Sequence, residues 1–139
     1  MQVVQQNCDH DGHAETAMTA HIKTFEQEGL IIRFVQQTSL AKMIWMGVSD
    51  SRDPSKFLGS VTQTLLAEVH GVPFEIDLRS LEYMNSATLG PLMSFIKALD
   101  QNGVQTVLRF NTAVDWQRIN CQCMKAVVRT LKHISVEGK

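Results

Sequence analysis

The stretch EIDLRSLEYMNSATLGPLMSFI, from Glu75 to Ile96, decides the reading of the chain, because an extended apolar run ends in small hydroxyl residues and then turns helical. The run opens as VPFEIDL (Val72 to Leu78) and reads as a buried strand that enters the sheet after Pro73, since proline has no amide hydrogen for a central ladder. Beyond the junction, Leu89, Leu92, Met93, Ile96 and Leu99 recur at helical spacing, and Asn102 and Gly103 supply the exit of a helix over 86–101. Ser86, Ala87 and Thr88 therefore stand at a helix mouth, where Asn85 or Ser86 is placed to bond free amide hydrogens. Pro91 would clash with the carbonyl four residues back if the helix already ran through Ala87. Either the regular helix starts late and leaves residues 86–88 exposed, or Pro91 is a simple first-turn proline.

Working outward, LIIRFVQQ and LAKMIWMG predict two strands of a hairpin with Thr38 and Ser39 at the turn. Asp53 and Pro54 predict a capped helix start, and Leu58, Val61, Leu65 and Val69 form its apolar face up to Gly71. VQTVLRF (Val104 to Phe110) is a further strand. A third helix begins near Asp115, read as its cap, with Trp116, Ile119, Cys123, Val127 and Leu131 as the inner stripe, and a last strand is expected over 132–136. On that phase Cys123 is inside and Cys121 at the surface. Residues 1 to about 12 read as a mobile polar tail, and His13 to Glu28 as a short helix ended by Gly29. The expectation is an α/β domain over 30–139, a mixed sheet with helices packed on it in the order β-β-α-β-α-β-α(-β), preceded by an extension over 1–29.

Composition narrows the function. A formal charge of -1 and a pI near 6.5 give no footprint for nucleic acid. No apolar run reaches the ~18 residues a membrane span needs, and the first residues lack the pattern of a secretory signal, so a cytoplasmic protein is expected. The 3 cysteines argue against a disulfide framework. CDHDGH (Cys8 to His13) has metal-ligand residue types but no second cluster, and Cys121 and Cys123 point to different helix faces, so no metal site is expected. No phosphate-binding loop or dinucleotide fingerprint is present, and no cofactor is expected. A serine nucleophile lacks the flanking glycines of Gly-x-Ser-x-Gly, and neither His70 nor His133 sits in a pattern that predicts contact with Ser86. The chain is expected not to be an enzyme.

Small side chains at a helix start leave its amides and dipole open to an anionic group, and a phosphorylated hydroxyl there adds roughly -1.5 to -2 charges. In this context IDLRSLEYMNSATLGPLMSFIKAL resembles the signature of STAS domains, the fold of bacterial anti-sigma factor antagonists. VDWQRINCQCMKAV (Val114 to Val127) is similar to the third helix, with Trp and Gln, of a divergent bacterial STAS-like branch. The resemblance implies partner switching: the unmodified domain binds a kinase, phosphatase or anti-sigma-like regulator, and phosphorylation at the helix start releases it. Where typical antagonists carry the modified serine of Asp-Ser-Ser-Gly, this chain has Ala87. The divergent group modifies the hydroxyl residue directly after the Asn, here Ser86, and Thr88 is the second candidate. The implied partner surface comprises Asp77, Arg79, Asn85, Ser86, Ala87, Thr88, Leu89 and Gly90. From residue chemistry alone, Asp77 and Arg79 read as surface residues at a strand end. The alternative stays open that the hydroxyls only cap the helix and the domain is a scaffold or self-associating module, with a homodimer as one form.

Overall fold

Alternation along one long strand sets the frame. Ala41–Ser49 (β4) buries Ala41, Met43, Trp45 and Ser49 on one side and leaves Lys42, Ile44, Met46 and Val48 half-buried on the other. The computed structural model describes residues 2–7, 21–69 and 71–139, the first segment as backbone only. On one side of β4 lies an antiparallel meander of Gln2–Asn7 (β1), His21–Gln27 (β2) and Leu30–Gln36 (β3). Gln37 N–H donates to Leu40 O at 2.9 Å across the expected turn at Thr38 and Ser39.

The N-terminal expectations need correction. His21–Gln27 is a strand, not the end of a helix, and Gln2–Asn7 pairs with it, not forming a free tail; the rest of the expected helix, over 13–20, lies outside the described residues, as does Cys8 to His13. Gly29, read as a helix stop, is a hairpin glycine. Glu28 at φ 50° and Gly29 at φ 91° form a two-residue turn with both φ values positive, as a type I′ hairpin requires.

On the other side β4 begins a parallel half. The chain runs through Ser55–Glu68 (α1) to Phe74–Asp77 (β5), then through Leu81–Met84 (β6) and Leu89–Gln101 (α2) to Thr106–Phe110 (β7), and through Asp115–Val127 (α3) to Ile134–Gly138 (β8). The sheet order is β1-β2-β3-β4-β5-β7-β8, with β6 also on β4. Each long crossover moves further in the same direction between parallel strands, so the right-handed rule puts the helices on one face. There Phe57, Leu58, Val61 and Leu65 of α1 and Leu92, Phe95, Ile96 and Leu99 of α2 join Phe74, Ile76 and Leu108 in one core. Phe74 meets Phe95 edge-on at 6.0 Å and Phe34 at 6.3 Å, contacts worth about 1 kcal/mol each beyond area. The α/β fold class and the succession of elements from β3 onward agree with expectation, β6 being an unforeseen addition.

Two helix starts and one helix phase differ. Pro54 takes the cap position of α1 without a side-chain bond, while the Asp53 amide donates to Ser51 Oγ at 3.3 Å. Asp115 is the first residue of α3 and bonds Arg118 instead of capping. The inner face of α3 is Gln117, Cys121 and Met124, so Cys121 is buried and Cys123 exposed, the reverse of expectation. Ile119 and Val127 are 56% and 39% exposed. Gly138 of β8 leaves room for this phase, because a Cβ there would crowd Thr112 and Cys121 Sγ.

The nine residues of β4 serve two parallel neighbours in turn. Ala41 to Ile44 pair with β5, Gly47 to Ser49 pair with β6, and the register shifts between Gly47 and Val48. Gly47 has φ 84°, and a Cβ on it would overlap the carbonyl oxygen of Gly29. Gly47→Ala is therefore expected to cost about 3 kcal/mol or more, read as a lowered denaturation midpoint; an unchanged midpoint would show that the close approach is unnecessary.

Candidate functional site

The turn at the start of α2 is built by Asn85. Its backbone amide donates to Ser49 O at 2.9 Å and its Nδ2 donates to Ser51 O at 2.8 Å, tying the turn to the end of β4. Its Oδ1 accepts the Thr88 amide at 3.1 Å and the Thr88 hydroxyl at 2.7 Å. Because the Thr88 hydrogen goes to Asn85, Ser49 Oγ is the donor in the 2.7 Å bond between the two hydroxyls. Ser86–Thr88 form a 3-10 turn and regular α-helix begins at Leu89, so the helix starts late and Pro91 lies in its first turn, compatible with both readings of that proline.

This geometry separates the two candidate hydroxyls. Thr88 is 0% exposed and locked into the Asn85 and Ser49 network, so the side chain expected on the partner surface faces inward. Ser86 and Ala87 are exposed, and no described group hydrogen-bonds the Ser86 hydroxyl. Gly90 is exposed and Leu89 half-buried. Neither the 3-10 turn nor α2 has an acidic residue in its first turn to offset the helix dipole.

Asp77 and Arg79 are not part of this turn. Ser80 and the four residues of β6, the latter about 13 Å of extended chain, lie between Arg79 and the turn. Asp77, expected at the surface, is only 7% exposed on the face away from the helices. Arg79 forks onto it, with Nε to Oδ1 and Nη2 to Oδ2 both at 2.9 Å. On the same face Glu75 Oε1 meets Arg109 Nε at 3.1 Å and Glu75 Oε2 meets Lys42 Nζ at 3.5 Å, while Arg109 also pairs with Glu137. Burial pushes the Asp77 carboxyl up, but the hydrogen bonds and charge of Arg79, with Lys42, outweigh it and hold the group below its ordinary value.

Trp116, expected to pack inside, does pack against the core, but its hydrogen bond and the role of Gln117 were not visible in the sequence. Gln117 is 0% exposed; its Nε2 donates to Leu78 O at 2.9 Å and Leu81 O at 3.0 Å, and its Oε1 accepts the Asn111 amide at 2.7 Å. Trp116 Nε1 donates to Glu82 O at 2.9 Å. Together they hold β6, and through it the Asn85 turn, in place. The signal was a glutamine inside an apolar helix face, readable as a buried amide only once the carbonyls opposite it are known.

His133, the candidate base with described geometry, contacts Gln105 at 2.9 Å beside the start of β8, whereas Ser86 follows the carboxyl end of β6. His70 lies outside the described residues. Among the described residues no group of three or more His, Cys, Asp or Glu is arranged to hold a metal ion, and no helix is long and apolar enough to cross a membrane. Neither the protein-family models nor the curated proteins compared with this chain match it.

Two expectations follow. Asn85→Ala removes the bonds that fix the turn and should cost about 1–2 kcal/mol in urea unfolding, with Leu89–Gln101 keeping its helicity; a loss below a few tenths would mean the turn holds without Asn85. Asp77, with its folded pKa depressed, adds stability above the ordinary value of 3.8 and loses it as pH falls through the lower folded value. Asp77→Asn should flatten that part of the acid limb in melts from pH about 6 to about 2, and an unaltered limb would remove Asp77 from the account.

Proposed function

We propose that the chain is a non-enzymatic signalling switch of the STAS type, which binds a cognate kinase, phosphatase or signalling enzyme through the surface around Asn85 to Gly90 and is controlled by phosphorylation of Ser86. The observation that carries this reading is the exposed Ser86 hydroxyl without a described bonding partner, two residues from a threonine that is buried and fully bonded. The resemblance of residues 76–99 to the STAS signature supports it.

The physics of the switch is local. Ser86, Ala87 and Gly90 are exposed and uncharged, so the unmodified turn itself accepts a neutral or apolar partner group at little desolvation cost. A phosphate on Ser86 gains from the first-turn amides and the dipole of α2 while adding roughly -1.5 to -2 charges to that surface. A partner that had covered it would then have to bury an unpaired dianion. Asn85 keeps the turn from refolding around the phosphate, so the effect falls on the partner and not on the fold.

Phosphopeptide mass spectrometry on protein from its native host is expected to find phosphate on Ser86 and none on Thr88. Ser86→Asp should weaken capture of the partner at least tenfold, and Ser86→Ala should leave it constitutive. An unmodified Ser86 across growth and stress conditions, or a Ser86→Asp variant that binds like the parent, would make the domain a phosphorylation-independent scaffold.

A further inference from the structure

The Ser86 turn has a cation beside it that the fold does not use. Asn85 bonds the carbonyls of both Ser49 and Ser51, its backbone amide reaching the first at 2.9 Å and its Nδ2 the second at 2.8 Å, so the loop between β4 and α1 runs alongside the turn. Arg52 is the next residue of that loop, at a bend closed by the Asp53 amide on Ser51 Oγ at 3.3 Å. Arg52 is exposed, as Ser86 is, and makes no ion pair among the described residues. From the Arg52 Cα through the Ser51 carbonyl oxygen and the Asn85 side chain to the Ser86 Cα is at most about 13 Å, a limit that only a straight path would reach. The path bends at every atom, which brings it within the roughly 11 Å that an extended arginine and a phosphoserine span together.

We infer that Arg52 receives the phosphate placed on Ser86, so that modification ties the β4–α1 loop to the start of α2. The inference rests on the reading of Ser86 as the modified residue and adds the form that the modified state takes. A guanidinium grips two phosphate oxygens at once in charge-assisted bonds, a geometry that a lysine point charge does not match. The other charged groups around the turn are Glu28 and Asp50, which share a crevice with Ser51, then Asp53, Lys56 in the first turn of α1, and Glu82 on β6. The acids repel a dianion, which leaves Arg52 and Lys56 to receive it, and of these only Arg52 adjoins the bonded Ser51. Phosphorylation then takes two things from a partner at once, the uncharged turn and the unpaired arginine next to it.

The test installs phosphoserine at position 86 during translation, so that no kinase is needed, and follows its phosphorus NMR signal against pH in the full chain. A guanidinium in contact favours the dianion and lowers the second phosphate pKa below its ordinary value of about 6. Arg52→Gln should raise that midpoint by about half a pH unit or more, and Lys56→Gln, which removes the same charge from the start of α1, should move it less. Circular dichroism checks that both variants keep the fold, as exposed side chains should allow. Equal midpoints in the parent and in Arg52→Gln would overturn the inference. A rise with Lys56→Gln as large as that with Arg52→Gln would overturn it too, by making the effect one of overall charge. A Ser86 that carries no phosphate in the native host would sink the switch itself, whereas the midpoints, read on an installed phosphate, decide the role of Arg52 separately.

Discussion

The carboxyl half of β4 needs a hydrogen-bonding neighbour, and the arrangement of the site follows from that need. β5 ends at Asp77, which would leave Gly47 to Ser49 without a parallel partner in the middle of the sheet. A buried peptide group left unpaired costs about 1–3 kcal/mol. β6 supplies the missing neighbour, and the Asn85 amide extends the ladder by one bond onto Ser49 O. The outer edge of β6 is then closed by side chains, since Gln117 and Trp116 give their N–H groups to the carbonyls of Leu78, Leu81 and Glu82. The place where Ser86 emerges is thus set by backbone satisfaction several residues away.

Two hydroxyl residues separated by one alanine have opposite fates for a geometric reason. In a 3-10 turn, residues three apart stand on the same side. Asn85 and Thr88 are three apart, so both turn towards Ser49 and Ser51, and Ser86 and Ala87 are left on the outer side. Their spacing in the sequence is visible at once, but the side that faces inward depends on β4, thirty-odd residues earlier.

The parallel half was legible because its signals are local and redundant. VPFEIDL and VQTVLRF are short apolar runs after proline or glycine, and the faces of α1 and α2 repeat at helical spacing. The α3 phase was not legible, because two uncharged stripes compete on one helix and the one with Gln117 looks less apolar. The stripe that wins is the one whose amide bonds three backbone groups. β6 escaped notice since four residues with a register shift carry no measurable alternation. At the N-terminal end, Gly29 is compatible with either a helix exit or a hairpin. Only the pairing of Gln27 with Leu30 selects the hairpin. The pairing of Asp77 with Arg79 was equally hidden, as a carboxylate two residues before an arginine is common on any exposed loop.

The division of the sheet at β4 also orders the events by which it forms. The meander from β2 to β4 joins strands through connections of a few residues, whereas every parallel pair beyond β4 waits for an intervening helix. Closing a longer loop costs more chain entropy before any contact is gained, and folding slows as the separation of contacting residues grows. Loop entropy therefore favours the hairpin contacts over the parallel ones as the cheaper to close. The bonding of β6 is complete only with α3 in place, because the Trp116 and Gln117 donors come from more than thirty residues downstream. The strand that carries the Ser86 turn is thus held from both directions along the chain, by β4 before it and α3 after it.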